Sequence, residues 1–564
     1  MAIFKDSKPR VSVEEYDVGS NSPQDAERMQ VGAFGGANHD ASDMHRIGKK
    51  QELRVLSQKP RYMVLLLITS SAQLPPGFHD SFCGYAPVNV GEYTSVSAIP
   101  TTKSPFTDEV ASYTYSGLYN GGPAGVIWMM IITWLFVLAL VASLAEMTSM
   151  APTAGGQYHW VSEFAPASLQ KPLSYIVGGA ATIGWIAAIP ACAQMLSRLV
   201  IGMVLLAYPD SNIGKLWHTT LLMMLFIILM VGFNIFFTKR LPAVEVFMLV
   251  LHIAVFLAFL IIFWTMAKRQ PTKQIFTTWN NYGRWSSQGL SAFVGLSTPL
   301  WCFIGPDAGA HMSEELKNAS STLPKAMMWG VFLNGILGCI MMITFMVCGG
   351  ASDDVIASMT GQPVLQAVYN ATSSIVGTEV MGVLLVVLVF FAAVSVTAAS
   401  SRQIWSFARD RGLPFSGWIE QVPANRDTPV NALLICLGIS LPITFINFGS
   451  DVALKAIVSV SNVALIFSYI ISIGCIRLKR LRGQPLLPRR WSLGKFGGIV
   501  NDLALGFLFV SFLFSFFPMI PNPTVIDMNW ASVMFGALVI IATVNYFVSA
   551  RKSYIAPVSL VKKD

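Results

Sequence analysis

The stretch Trp301-Cys302-Phe303-Ile304-Gly305-Pro306-Asp307-Ala308-Gly309-Ala310-His311, with Glu314 and Glu315 just beyond, decides how this chain folds. It sits in an apolar run, about 288–312, long enough to cross a membrane, yet a regular helix cannot pass through it. Gly305 and Gly309 loosen the backbone. Pro306 removes a donor and its ring clashes with the carbonyl four residues back. Irregular backbone is costly in hydrocarbon unless it lines a cavity inside the protein. Asp307 adds a carboxylate at the same depth, which is expensive and marks either a function or an interhelical partner. A broken helix exposing free carbonyls and a half-helix N-terminus suits zwitterionic or cationic solutes. A simple proline kink with a buried aspartate partner is the competing reading.

Working outward, the 564 residues are 54% hydrophobic and only 12% charged, with a mean hydropathy of +0.57. A soluble domain carries about 25% charged residues, so the solvent for most of this chain is lipid or protein. A hydrocarbon core of about 30 Å needs about 20 apolar residues in a helix. That ruler finds eleven spans, near 124–148, 172–206, 217–237, 241–266, 288–312, 326–349, 378–400, 429–448, 452–476, 498–519 and 530–550. No run of alternating ten-residue strands appears, which excludes a β-barrel. The expected fold class is therefore all-α and polytopic, integral to the membrane, with 124–550 as the transmembrane domain. Residues 1–61 read as a disordered cytoplasmic tail without a signal peptide, and 551–564 as a cytoplasmic tail.

The net charge of +8 does not mark a nucleic-acid binder, because the basic residues follow the positive-inside rule. They gather at Lys239 and Arg240, at Lys317 and Lys325, and at Arg402, Arg409, Arg411 and Arg426. The densest group runs from Arg477 to Lys495, and the C-terminal tail adds more. Segments 350–376 and 518–529 hold none, while 268–287 dissents with Lys268, Arg269, Lys273 and Arg284. Both termini are thus expected inside, which demands an even number of spans and a twelfth ahead of residue 123. Only Met63–Ile68 is strongly apolar there, and Pro75 and Pro76 end the run early. Residues 62–123 are an anomalous segment with a degenerate first span. The sequon Asn370-Ala371-Thr372 falls in a loop expected to face out, making Asn370 a candidate glycosylation site.

The other intramembrane polar residues have structural readings beside functional ones. Glu146 and Glu245, at span ends, are expected as anchors. His311 is a proton relay or a hydrogen-bonded helix end. Glu314 and Glu315 pair with Arg402, Arg409 or Arg411 as an inside gate, or form a solvated helix end. Arg198, deep in the third span, snorkels outward or meets a substrate carboxylate. Six of the seven cysteines lie in apolar stretches, and no CxxC or Cys/His cluster occurs, so neither zinc nor a disulfide framework is indicated and no cofactor is expected. No clustered catalytic set appears among the seven histidines, which speaks against a membrane-embedded enzyme.

Four stretches carry a resemblance: Ser143–Trp160 (SLAEMTSMAPTAGGQYHW), Phe303–Pro324 (FIGPDAGAHMSEELKNASSTLP), Ser401–Ser416 (SRQIWSFARDRGLPFS) and Arg489–Gly494. Together they resemble fungal permeases of the amino acid–polyamine–organocation superfamily, in the group containing the GABA and choline permeases. The resemblance covers about residue 117 to the C-terminus. It implies a 5+5 inverted repeat plus two C-terminal spans, with the first and sixth spans broken around substrate. Trp301 would then be an aromatic gate, and Ile304, Gly305, Pro306 and Ala308 would line the site. Asp307 would take the acidic position that exchanges a proton, since burial favours the neutral form of an acid. The implied activity is secondary active transport of an amino acid or related amine such as GABA or choline, by alternating access with the proton as coupling ion, in the plasma membrane or the vacuolar membrane.

 

The chain departs from the family over residues 55–113, where relatives carry an apolar, Gly-containing first span. Two readings stand: translated intron or out-of-frame sequence, or a remodelled span. Pro306 and Gly179 are milder departures that bear on substrate rather than class. Because the first span supplies half of the family's substrate site, a transport-inactive homologue or nutrient sensor is the alternative function.

Overall fold

The computed structural model describes residues 44, 46, 49, 113–350, 361–423, 426–449, 451–525 and 528–560. The first-span segment up to residue 112, and with it most of the anomalous region, lies outside the described residues. Among the described residues every regular element is helical. In chain order these are α1 (Tyr113–Met150), α2 (Gln157–Phe164), α3 (Gln170–Ala207), α4 (Leu216–Phe236), α5 (Leu241–Met266) and α6 (Thr272–Thr277). Then come α7 (Gln288–Val294), α8 (Ser297–Phe303), α9 (Ala308–His311), α10 (Ala319–Cys348), α11 (Pro363–Thr372) and α12 (Ile375–Arg409). The last are α13 (Ser416–Ile419), α14 (Val430–Gly449), α15 (Asp451–Leu481), α16 (Gly497–Phe514) and α17 (Ala531–Asn545).

Ten of these helices are long and apolar enough to cross a bilayer, and the bent series α7 to α9 makes an eleventh. All eleven coincide with the runs read from hydropathy. The chain is an all-α polytopic membrane protein. Helix α1 begins earlier than its apolar run because Tyr113–Gly121 is already helical; the helix kinks at Gly122 (φ 67°), just before Pro123. Apolar side chains turn outward along the bundle, among them Leu225 and Ile228 on α4, Val250 and Ile261 on α5, and Ile540 and Ile541 on α17. That much exposed apolar surface is stable against lipid rather than water.

The packing has a regular plan. Helix α10 lies along α1, α12 along α3, and α14 along α4. Each of these three spans meets the one five places further on, while α15 also lies along α3; the span ahead of α1 falls outside the described residues. Loops sort to two ends. At one end Tyr282 donates to the Tyr119 carbonyl at 3.0 Å and Gln270 to Val347 at 2.7 Å, while Trp285 reaches the Met519 carbonyl at 3.2 Å. The basic 268–287 loop belongs to this end, where Arg269 caps the Trp264 carbonyl at 3.0 Å. At the other end the loops rich in Lys and Arg converge.

Candidate functional site

Helix α8 stops at Phe303, and Ile304 leaves it extended (φ −74°, ψ 149°). Gly305 follows at φ 88°, a left-handed conformation that glycine adopts without a side-chain penalty. Pro306 has no N–H to return to the Cys302 carbonyl. Helix then resumes at α9, where Ala310 and His311 donate to the Asp307 carbonyl at 2.8 and 3.3 Å. The 43° bend of the series lies earlier, between Gln288–Val294 and the segment Pro299–His311, so the interruption at 304–307 is a local loss of helical backbone. The sequence break is a structural break.

Asp307 is fully buried and surrounded by polar partners. Its Oδ2 accepts from Gln157 Nε2 at 2.6 Å and from Trp185 Nε1 at 3.2 Å. His311 Nε2 lies 3.1 Å from the same oxygen. The Tyr469 hydroxyl donates to Oδ1. Helices α2, α3 and α15 thus each place a side chain on one carboxyl group, far beyond the single partner of a simple kink. The sequence reading found Asp307 and His311 but gave no role to Gln157, Trp185 or Tyr469. Indole and phenol groups in apolar runs look like packing. The available signal was the polar stripe Ser461, Ser468 and Ser472 on α15, whose spacing of seven and four puts it on one helix face. Ser461 there bonds the Gly184 carbonyl of α3 at 2.7 Å, beside Trp185.

Against the break lies a cavity of about 20 Å³ bordered by Ile304, Gly305, Pro306 and Ala308, with Trp185, Val331 and Asn334 opposite. It is large enough for about one water molecule and too small for an amino acid. Trp301 is buried in α8 and does not border it; Trp185 presents the aromatic face instead. A larger cavity of about 220 Å³ lies elsewhere, between α2 and the end of α15, beside Glu163, Lys479 and Arg482. The break is the stronger site, because it holds the buried acid and the unwound backbone together.

The charged end of the bundle closes beneath the break. Glu314 accepts from Arg409 Nη1 and Nη2 at 2.9 and 2.7 Å, and from the Ala154 N–H at 3.1 Å. Arg402 Nε donates to Glu315 at 2.7 Å, both groups buried. Glu146 takes Arg480 and, at 3.1 Å, Arg489. Glu245 accepts from the Ser395 hydroxyl, tying α5 to α12. Arg411 goes to Glu420 at 3.1 Å instead of to the glutamate pair. Arg198 is half-buried on α3 and does not border the cavity at the break. Asn370 is exposed on α11, where its Oδ1 accepts from Gln366 at 2.8 Å. Among the described residues no cluster of metal-ligating side chains occurs.

A sequence model described as amino acid permease matches residues 94–543. The chain belongs to the amino acid permease family. The match opens ahead of residue 117, inside the segment 55–113 that the sequence reading expected to depart from the family. An uncharacterized amino-acid permease of Schizosaccharomyces pombe is 30% identical, covering 79% of each chain. A choline transporter of Saccharomyces cerevisiae is 29% identical over 74% of each. Amino-acid permease 2 of Neurospora crassa is 27% identical over 84% of this chain and 88% of its own. This permease is accordingly a multi-pass membrane transporter rather than an enzyme.

Proposed function

We propose that this permease imports an amino acid or a related amine, such as GABA or choline, across the plasma membrane by alternating access coupled to protons. The observation that carries the reading is Asp307: a fully buried acid in an unwound span, held by side chains from three other helices. The open carbonyls at the end of α8 suit a substrate ammonium group, and Trp185 offers an indole face for a cation. The described lining of the cavity carries no charged side chain, which favours a small solute whose charge is met by backbone dipoles. The paired residues Glu314–Arg409 and Glu315–Arg402 act as the inside gate, closed in this conformation. Glu146 and Glu245 act as anchors. The likeness to a choline transporter supports including quaternary amines among the substrates.

The test is radiolabelled uptake in a permease-deficient yeast, with GABA, choline, and basic and neutral amino acids as the panel, under imposed pH and sodium gradients. Uptake of at least one solute that follows the pH gradient is expected. Asp307→Asn should abolish that dependence. A proton dependence unchanged in Asp307→Asn removes the residue from the mechanism, and a well-folded protein at the cell surface that transports nothing in the panel favours a sensor.

A further inference from the structure

The hydrogen-bond pattern around His311 counts protons. Its Nδ1 lies 2.9 Å from the Ala154 carbonyl. A carbonyl only accepts, so Nδ1 carries a hydrogen. Its Nε2 lies 3.1 Å from Asp307 Oδ2. If the imidazole is neutral, Nε2 is a lone pair, and the contact requires a protonated Asp307; if Asp307 is ionised, the contact requires an imidazolium. Either way one proton sits between the two. The other partners of the carboxyl, Gln157, Trp185 and Tyr469, point donors at it, and none can take this proton's place on the Nε2 side.

We propose that Asp307 and His311 together form the proton-carrying site of this permease, and that the Ala154 peptide links its protonation to the inside gate. This rests on the proton-coupled reading above. Ala154 is held from both sides: its carbonyl by His311 and its N–H by Glu314 at 3.1 Å. Loss of the proton to water on the inside breaks the shared N–H or O–H bond and leaves the Nε2 lone pair facing a carboxylate. The two repel, His311 turns away, and the Ala154 carbonyl loses its donor. The loop ahead of α2 is then freed from the base of the broken helix, next to Glu314 and Arg409. Reloading from the outside restores the contact. The titratable groups facing the pair are Tyr469 on α15 and, beyond Ala154, Glu314 with its partner Arg409; α2 and α3 contribute the neutral Gln157 and Trp185.

Trp185 supplies the probe. Its ring meets the His311 ring edge-on, centroids 5.5 Å apart, and an imidazolium in that position quenches indole emission. The experiment is a fluorescence titration of the full-length permease in lipid nanodiscs from about pH 5 to pH 8, where histidine sites change charge, with Trp185→Phe as background. A Trp185-dependent transition is expected, and both Asp307→Asn and His311→Asn should lose it. His311→Gln, whose amide approaches Asp307 from the Nε2 side, should lose it too, which guards against a folding defect in one variant. A transition that persists at the wild-type midpoint in folded His311→Asn places the proton on Asp307 alone and overturns the pair. A wild-type protein with no transition overturns the site altogether. Failure of the transport reading shows separately, as uptake indifferent to an imposed pH gradient in a protein that still titrates.

Discussion

Glu314 shows what a single buried charge does here. Burial pushes its carboxyl up, but the Arg409 charge and hydrogen bonds, the Ala154 N–H and Lys49 outweigh that and hold it below its ordinary value of 4.5. A carboxyl depressed on folding adds stability that is present above its unfolded value and is lost as pH falls through the folded one. The apparent unfolding temperature in detergent should therefore drop as pH is lowered past about 4.5, and Glu314→Gln should flatten that limb. At neutral pH the same variant strands Arg409, a loss of about 3–5 kcal/mol for a buried pair broken on one side. Adding Arg409→Gln should restore part of the loss. A double variant no better than the single one would show that the pair is not the source of the effect.

At the scale of elements, α1 and α10 approach closely at Gly335. A side-chain carbon on Gly335 would sit 1.9 Å from Trp134 Nε1, whose N–H donates to the Val331 carbonyl at 3.1 Å. Gly335→Val must push the helices apart or expel the indole, and overpacking of this kind costs about 1–3 kcal/mol. The expected result is a lower unfolding temperature and reduced uptake, with Trp134→Leu rescuing both. No rescue would mean that the strain lies in the α10 backbone. This contact was not legible in the sequence, since Gly335 is one of many small residues in an apolar run. The spans themselves were legible, because length and hydropathy are properties of contiguous residues. So was the break, because Gly305, Pro306 and Asp307 are adjacent. The donors on Asp307 were not, because Gln157, Trp185 and Tyr469 are brought together only by which faces of α2, α3 and α15 pack inward.

The whole molecule is organised around two unlike ends, and Asp410 is where its far-apart segments meet at the charged one. Lys49 of the N-terminal arm bonds its carboxylate, Tyr158 of α2 donates to Oδ2 at 2.9 Å, and Ile555 of the C-terminal tail donates to its carbonyl at 3.0 Å. If that end faces the cytoplasm, Phe415→Cys, at a position 83% exposed, should react with an impermeant maleimide only after permeabilisation, in a background carrying Cys83→Ser. Tyr208→Cys, at a 69% exposed site on the opposite end, should react in intact cells when the permease is at the plasma membrane. The reverse pattern would invert the topology. The tail is part of the fold rather than a free appendage: Tyr554 is buried, its hydroxyl 2.6 Å from Ser174 Oγ, and Val558 donates to Ser162 Oγ at 2.9 Å. Tyr554→Phe removes one hydrogen bond and should cost about 0.5–1.5 kcal/mol. Tyr554→Ala removes the ring packed on Phe407 and Tyr175 and should cost about 3–5 kcal/mol, as for other buried aromatics. Thermal unfolding in detergent ranks the two. Equal losses would assign the docking to the hydroxyl, whereas the expected ranking assigns it to packing, which holds the tail against the same end that the gate residues close.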